Sequence, residues 1–140
     1  MRGATLEVLT EEECYALLRD VATVGRVGVS VAAVPEILPV NFAMVDGTIV
    51  FGTRQGTKLH AATRSAVLAF EVDDSDASSG WSVLVVGRSA EVTESREIAA
   101  ALAVIPDGWV PGEHEHVVRL TPSRVTGRRI HRQEERLTDE

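Results

Sequence analysis

Thr53, Arg54, Gln55, Gly56, Thr57 and Lys58 bring two cations, two hydroxyls and a glycine into six consecutive positions, just ahead of the helical-looking Leu59-His60-Ala61-Ala62-Thr63-Arg64. Such side chains can neutralise and hydrogen-bond an oxyanion, and the amides of a first helical turn lack intrahelical acceptors. The chemistry they suit is the grip of a phosphate group. Other candidates are sparser. Glu113-His114-Glu115-His116 would set both histidines on one side of a strand, the i, i+2 geometry that can hold a metal. No third ligand lies near them in sequence, so they read as a solvated strand end, and no metal ligand is assigned. His60 reads as a helix-surface histidine. Asn41 interrupts an apolar strand, where its amide needs either backbone partners or a bound group. Trp81 follows a polar loop and suits either packing or cover for a ring system, while Trp109 receives no role. No serine sits in a nucleophile-elbow context and no histidine is arranged around one, so no catalytic residue is assigned.

The elements that must position these residues are mainly strands. Thr10-Glu11-Glu12-Glu13 is a capping box, followed by apolar residues at helical spacing, which predicts a helix from Glu11 to Ala22. Val24 to Ala33 alternates as a strand that Pro35 should break. Leu38 to Val45 and Thr48 to Thr53 flank Asp46-Gly47, the strongest two-residue hairpin signal. Ala66 to Val72 is the fourth strand and Asp73 to Gly80 an acidic, serine-rich loop without a burial reason to be ordered. Ser82 to Val92 is a long strand interrupted by Gly87, where a bulge or a close approach is expected. Glu94 to Val104 reads as a helix ending before Pro106. Glu113 to Leu120 is the sixth strand, which Arg124 to Ile130 extends or pairs with across Thr121-Pro122.

Six strands, short helices and hairpin connections predict a mainly β fold, a six-stranded antiparallel split β-barrel. The 140 residues fit one domain, 1–140, with a polar, frayed tail at about 131–140. A chain of this size can remove roughly 70% of its unfolded surface from water. With 44% hydrophobic but only 4% aromatic residues, the core must be aliphatic. Fourteen basic against twenty-one acidic residues give a net charge of −7, which argues against nucleic acid. The basic residues near the end, Arg124 to Arg136, are offset by neighbouring carboxylates. Cys14 is the only cysteine, which excludes an intrachain disulfide and suits a reducing compartment. No apolar run approaches the roughly 20 residues needed to span a bilayer, and no signal core is evident, so a cytoplasmic protein is expected.

The order of these pieces resembles the flavin-binding split-barrel family that includes pyridoxamine 5′-phosphate oxidase, and more closely its short nitroimidazole-reductase-like and deazaflavin-dependent members. The similarity covers about Glu11 to Leu120. It rests on Leu38-Pro39-Val40-Asn41-Phe42, Asp46-Gly47, Ile49 to Thr53, Gly56-Thr57-Lys58-Leu59, Ala69 to Asp73, and Trp81 to Arg88.

The resemblance implies FMN, with a deazaflavin coenzyme, FAD or haem as alternatives, in a groove at a homodimer interface. Lys58 would reach the flavin phosphate, with hydroxyls from Thr57 and Thr53 beside it. Pro39, Val40 and Asn41 would line the ring, and Trp81 and Arg88 would border the cofactor. Many relatives carry an arginine two positions before the lysine; Gly56 stands there, so the second charge falls to Arg54. His60 would be the ligand in a haem-binding variant. The activity implied is a flavin-dependent oxidoreductase passing hydride or electrons to or from a small organic substrate. The alternative is a non-catalytic flavin, haem or tetrapyrrole binding or storage protein. Pyridoxamine phosphate itself ranks lower as a substrate, because the chain ends soon after the sixth strand.

Overall fold

The computed structural model describes residues 3–20, 24–63, 65–107 and 115–133. In chain order the elements are β1 (Ala4–Val8), α1 (Glu11–Asp20), β2 (Val24–Val31), β3 (Val34–Val45), β4 (Thr48–Thr53), α2 (Lys58–Thr63), β5 (Ser65–Ser75), β6 (Ser79–Glu91), α3 (Ser95–Val104) and β7 (His116–Arg132). All strand pairings are antiparallel. The order β7-β4-β3-β2-β5-β6 returns to β7 through a β6–β7 ladder, so the six expected strands form a partly closed ring. The split-barrel reading therefore holds. Its weakest seam is β2–β5, with only three residue pairs. Arg26 crosses that seam to Glu71 at 3.1 Å and Asp73 at 3.2 Å. Burial, followed by the neighbouring Asp73 charge, pushes the Glu71 carboxyl above its usual range.

Alternation along the strands sends Val27, Val29, Phe42, Phe51, Phe70, Val83, Val85 and Leu120 into the ring. Three phenylalanines supply most of the aromatic bulk, and Phe42 meets Phe70 edge-on with centroids 4.9 Å apart. Gly25 makes room for this packing, since a Cβ there would lie 2.3 Å from the Phe70 ring. A smaller cluster of Val50, Val92, Ala101, Ile105 and Val117 lies under α3. No helix among the described residues is long and apolar enough to cross a membrane.

Helix α1 begins as its capping box requires. The Glu13 amide donates to Thr10 Oγ1 at 3.1 Å, and the Glu13 carboxylate accepts from the Thr10 amide at 3.1 Å. The described helix ends at Asp20, and Ala22 falls outside the described residues. Cys14 is fully buried, and burial pushes its thiol up. Its Sγ lies 2.6 Å from where a Cβ on Gly127 would be, so that glycine lets the helix seat against β7.

Several boundaries differ from the sequence reading. Pro35 does not break a strand. The chain reverses at Ala32-Ala33, whose φ values of 50° and 64° match a two-residue type I′ turn, and Pro35 lies inside β3 opposite Ser30. Strand β1 was not expected: all five of its residues are exposed, and the ladder to Arg128–Arg132 holds it without a buried face to announce it. The acidic loop is a tight turn instead, because the Asp76 carboxylate accepts the amides of Ser78 at 2.8 Å and Ser79 at 2.9 Å. β5 and β6 consequently run on to Ser75 and from Ser79.

The two last strand candidates are one 17-residue strand. Pro122 is accommodated because the β6–β7 register shifts between Val86 and Gly87, leaving Ser123 as an extra residue whose hydroxyl donates to the Val86 carbonyl at 3.0 Å. The bulge expected at Gly87 is thus present. A Cβ on Gly87 would stand 2.2 Å from the Thr121 carbonyl oxygen.

Gly87→Ala should lower folding stability by about 1–3 kcal/mol through this backbone clash, read as a lower urea midpoint with unchanged m-value. A second expectation concerns pH. The Thr10 amide and hydroxyl hold the Glu13 carboxyl below its usual range. Its contribution is therefore present above the unfolded pKa and lost as pH falls through the folded one. Glu13→Gln should flatten the stability profile in that acid window and leave the slope near neutrality unchanged.

Candidate cofactor site

Strand β4 ends at Thr53, and the chain turns through Arg54-Gln55-Gly56 into α2. Gly56 takes φ 82°, a left-handed conformation that a side chain would strain. Thr57 is the cap of α2: its hydroxyl donates to the Arg54 carbonyl at 2.6 Å and accepts the His60 amide at 3.1 Å. Arg54 and Lys58 project from the turn and are exposed. The Lys58 side chain is 71% exposed and its Nζ meets Glu36 Oε1 at 3.3 Å, which draws the turn against β3.

β3 changes partners along its length. Val34 to Asn41 pair with β2, and Phe42 to Val45 pair with β4. Continuing the β4 register would set Gly52 opposite Asn41 and Arg54 opposite Pro39, but among the described residues the ladder stops at Phe42. The two-residue turns at both ends of β3 fix which backbone groups face this open edge: those of Pro35, Ile37 and Pro39. Two of these three are prolines, which have no N–H to offer a foreign strand. Pro39 is exposed, whereas Val40 and Asn41 are buried. The Lys58–Glu36 contact makes a corner between the Arg54–Lys58 turn and the β3 segment that also carries Pro39, Val40 and Asn41.

Thr53 faces elsewhere. It is 1% exposed, and its Oγ1 lies 3.0 Å from His60 Nδ1. Trp81 and Arg88 stand apart from the corner as well. Trp81 pairs with Asp74 and Arg129 and borders a groove with Ser82, Arg128 and Ile130. It is ten residues from Glu91 at the α2 end of β6, about 30 Å at strand rise. Arg88 is exposed on the outer face opposite Val67 and Thr121.

One constellation was missed from sequence. His60 is buried and not on the helix surface, and its ring lies 4.4 Å from that of His116 at an interplanar angle of 39°. His116 Nδ1 is 2.9 Å from Glu91 Oε1. His116 is carried by the first residue of β7, opposite Thr53. Glu91 and His60 are remote from His116 in sequence and arrive from β6 and α2; His114 lies outside the described residues, as does Trp109. The linear signal was the Glu113-His114-Glu115-His116 run, which contains His116 but neither of its partners.

Residues 10–129 match the family model described as pyridoxamine 5′-phosphate oxidase. An uncharacterized Mycobacterium tuberculosis protein, Rv0080, is 38% identical over 129 residues, spanning 87% of this chain and 84% of its own length. Among solved structures, the FAD binding protein from Mycobacterium smegmatis is 35% identical, with TM-score 0.75, covering 90% of this chain and 98% of that one. A FAD-binding protein from Mesorhizobium loti is similar in fold, with TM-score 0.73 at 23% identity, covering 89% of this chain and 97% of that one.

Proposed function

Because the chain belongs to the pyridoxamine 5′-phosphate oxidase family, we propose that it binds a flavin nucleotide along the open edge of β3 and uses it as an oxidoreductase on a small organic substrate. The observation that carries this reading is the juxtaposition of the Arg54–Lys58 turn with the unladdered Pro35–Pro39 edge. A flat ring needs an apolar wall and a few backbone polar groups, and its phosphate needs cations at one end. The residues present fit both needs. The M. smegmatis relative's description as FAD binding supports a flavin and directs the choice toward FAD as well as FMN; a deazaflavin coenzyme is the third form to test.

The redox chemistry belongs to the flavin when it is bound. The chain's part is to hold and orient. Lys58 and Arg54 neutralise phosphate charge, Gly56 lets the turn approach closely, and Pro39 presents exposed apolar surface without an N–H, backed by the buried Val40. Neither a nucleophile nor a general base is required.

A second copy would complete the groove. On the outer face, Ile37, Gly28, Ala69 and Val86 stand in register across β3, β2, β5 and β6. Ile37 is 72% exposed, and Gly28 leaves a shallow place beside it. This apolar row supports a homodimer packed through that sheet face.

The visible absorption spectrum of the purified protein, followed by mass spectrometry of the released ligand, tests the cofactor. A flavin spectrum is expected; a haem spectrum, or no flavin uptake from FMN, FAD or deazaflavin, would defeat the reading. Reduction of bound flavin by NAD(P)H or reduced deazaflavin is expected, and a flavin that neither donor reduces would identify a binding protein instead. A charge-assisted hydrogen bond is worth roughly 1.5 to 3 kcal/mol. Lys58→Ala should therefore weaken flavin affinity about ten- to a hundredfold by fluorescence titration, with an unchanged thermal melt. Ile37→Glu should convert a dimer to a monomer in sedimentation velocity; an unaltered dimer would place the interface on another face.

A further inference from the structure

We propose that His60, Glu91 and His116 form a binding site for a divalent transition-metal ion of the zinc class. Each residue offers one ligand atom, and the three atoms lie within 4.8 Å of one another. They come from α2, β6 and β7, elements brought together only by the fold. This assignment stands on these residues alone and does not depend on the flavin reading.

The donor set decides the class of ion. Two imidazole nitrogens and one carboxylate oxygen suit zinc and its divalent first-row neighbours, whereas calcium and magnesium favour all-oxygen shells. Bonds of about 2.0–2.2 Å would bring the ligand atoms to roughly 3.4 Å apart. The Glu91 and His116 atoms, 2.9 Å apart, already lie inside that spacing, so any contraction is between His60 and this pair, and Glu91, 27% exposed with three torsions, is free to follow. The His116 to Glu91 contact at 2.9 Å would be exchanged for two bonds to the ion.

The surroundings resemble a support for ligands rather than a chance contact. Thr53 Oγ1, itself buried, sits 3.0 Å from His60 Nδ1. With the Nδ1 proton donated to that oxygen, Nε2 carries the free lone pair, which is how an outer hydrogen bond sets the tautomer of a metal-binding histidine. The backbone around the site is fixed. Thr53 and His116 are ladder partners on β4 and β7, Glu91 pairs with Val118, and the Val92 amide donates to the Val117 carbonyl at 2.9 Å. His116 remains partly open, with its side chain 29% exposed, so a fourth position is accessible to water or a small anionic ligand. Without an ion, the same contacts would only staple α2 to the barrel end, and the experiment must separate these two roles.

The test is calorimetric titration of Zn²⁺ into the full-length protein after chelator treatment, with Co²⁺ absorption reporting the ligand field. One Zn²⁺ per chain is expected at a Kd in the micromolar range or tighter. His60→Gln, Glu91→Gln and His116→Gln should each weaken binding at least tenfold, while His131→Gln, at an exposed histidine paired with Glu7, should leave it unchanged. In the unmutated protein, Zn²⁺ should shift the imidazole ¹⁵N resonances of His60 and His116 but not of His131, which tests the site even where a variant fails to fold. Binding weaker than millimolar, binding indifferent to the three substitutions, or ¹⁵N shifts confined to other histidines would each overturn the proposal.

Discussion

Strand β7 is hydrogen-bonded on both edges, and the rest of the fold takes its position from it. One edge carries β6 from Ser79 to Glu91; the other carries β4 on its first five residues and β1 on its last five. A strand of 17 residues cannot follow the curvature of a small ring without relief, and the extra Ser123 beside Pro122 and Gly87 supplies the bend. Closure through β7 removes most of the exposed ladder that an open sheet would present. It also fixes where β4 stops, because the β4–β7 ladder runs out at the Thr53–His116 pair.

That stop creates both candidate sites. With β4 turning away into α2, the first half of β3 keeps β2 as its ladder partner and offers its other edge outward. Prolines at positions 35 and 39 blunt this edge against strand addition. On the inner side of the same turn, α2 swings His60 beneath the end of the barrel to meet His116. The hydroxyl cap of Thr57 determines the direction of that swing.

What the sequence made legible is what burial and local turns encode. The Asp46-Gly47 hairpin, the Thr10 capping box, the Gly87 bulge and the β2–β7 strands all carry period-two patterning or a demanding turn residue. The family resemblance and the split barrel followed from these. Strand β1 was hidden because none of its residues is buried. Pro35 misled because proline is compatible with a strand wherever its missing N–H faces an open edge, and edges are invisible before topology is known. The acidic loop misled for the opposite reason: Asp76 organises it through its own carboxylate rather than through packing. The turn from Arg54 to Lys58 was readable as a cationic corner because its residues are contiguous. His60, Glu91 and His116 are spread over 57 positions of sequence, so only the ladder registers reveal that they meet.

The division of Thr53 and Thr57 between these sites constrains how the proposed flavin would be held. Thr53 is turned inward to His60, and Thr57 spends its hydroxyl proton on the Arg54 carbonyl while accepting the His60 amide. Neither is poised as a free donor in this arrangement, so the phosphate end would rely chiefly on Arg54 and Lys58. Both are exposed, and exposed charges are weakened by solvent and salt. Lys58, at 71% exposure, must also exchange its contact with Glu36 for the phosphate. On the proposed reading, most of the binding free energy must then come from covering the ring: one side against Pro39 and the edge of β3, the other against the second subunit. Cofactor retention and subunit association would on that proposal be a single linked equilibrium, which would give the exposed Ile37 face a role in ligand binding even though it lies outside the cationic turn.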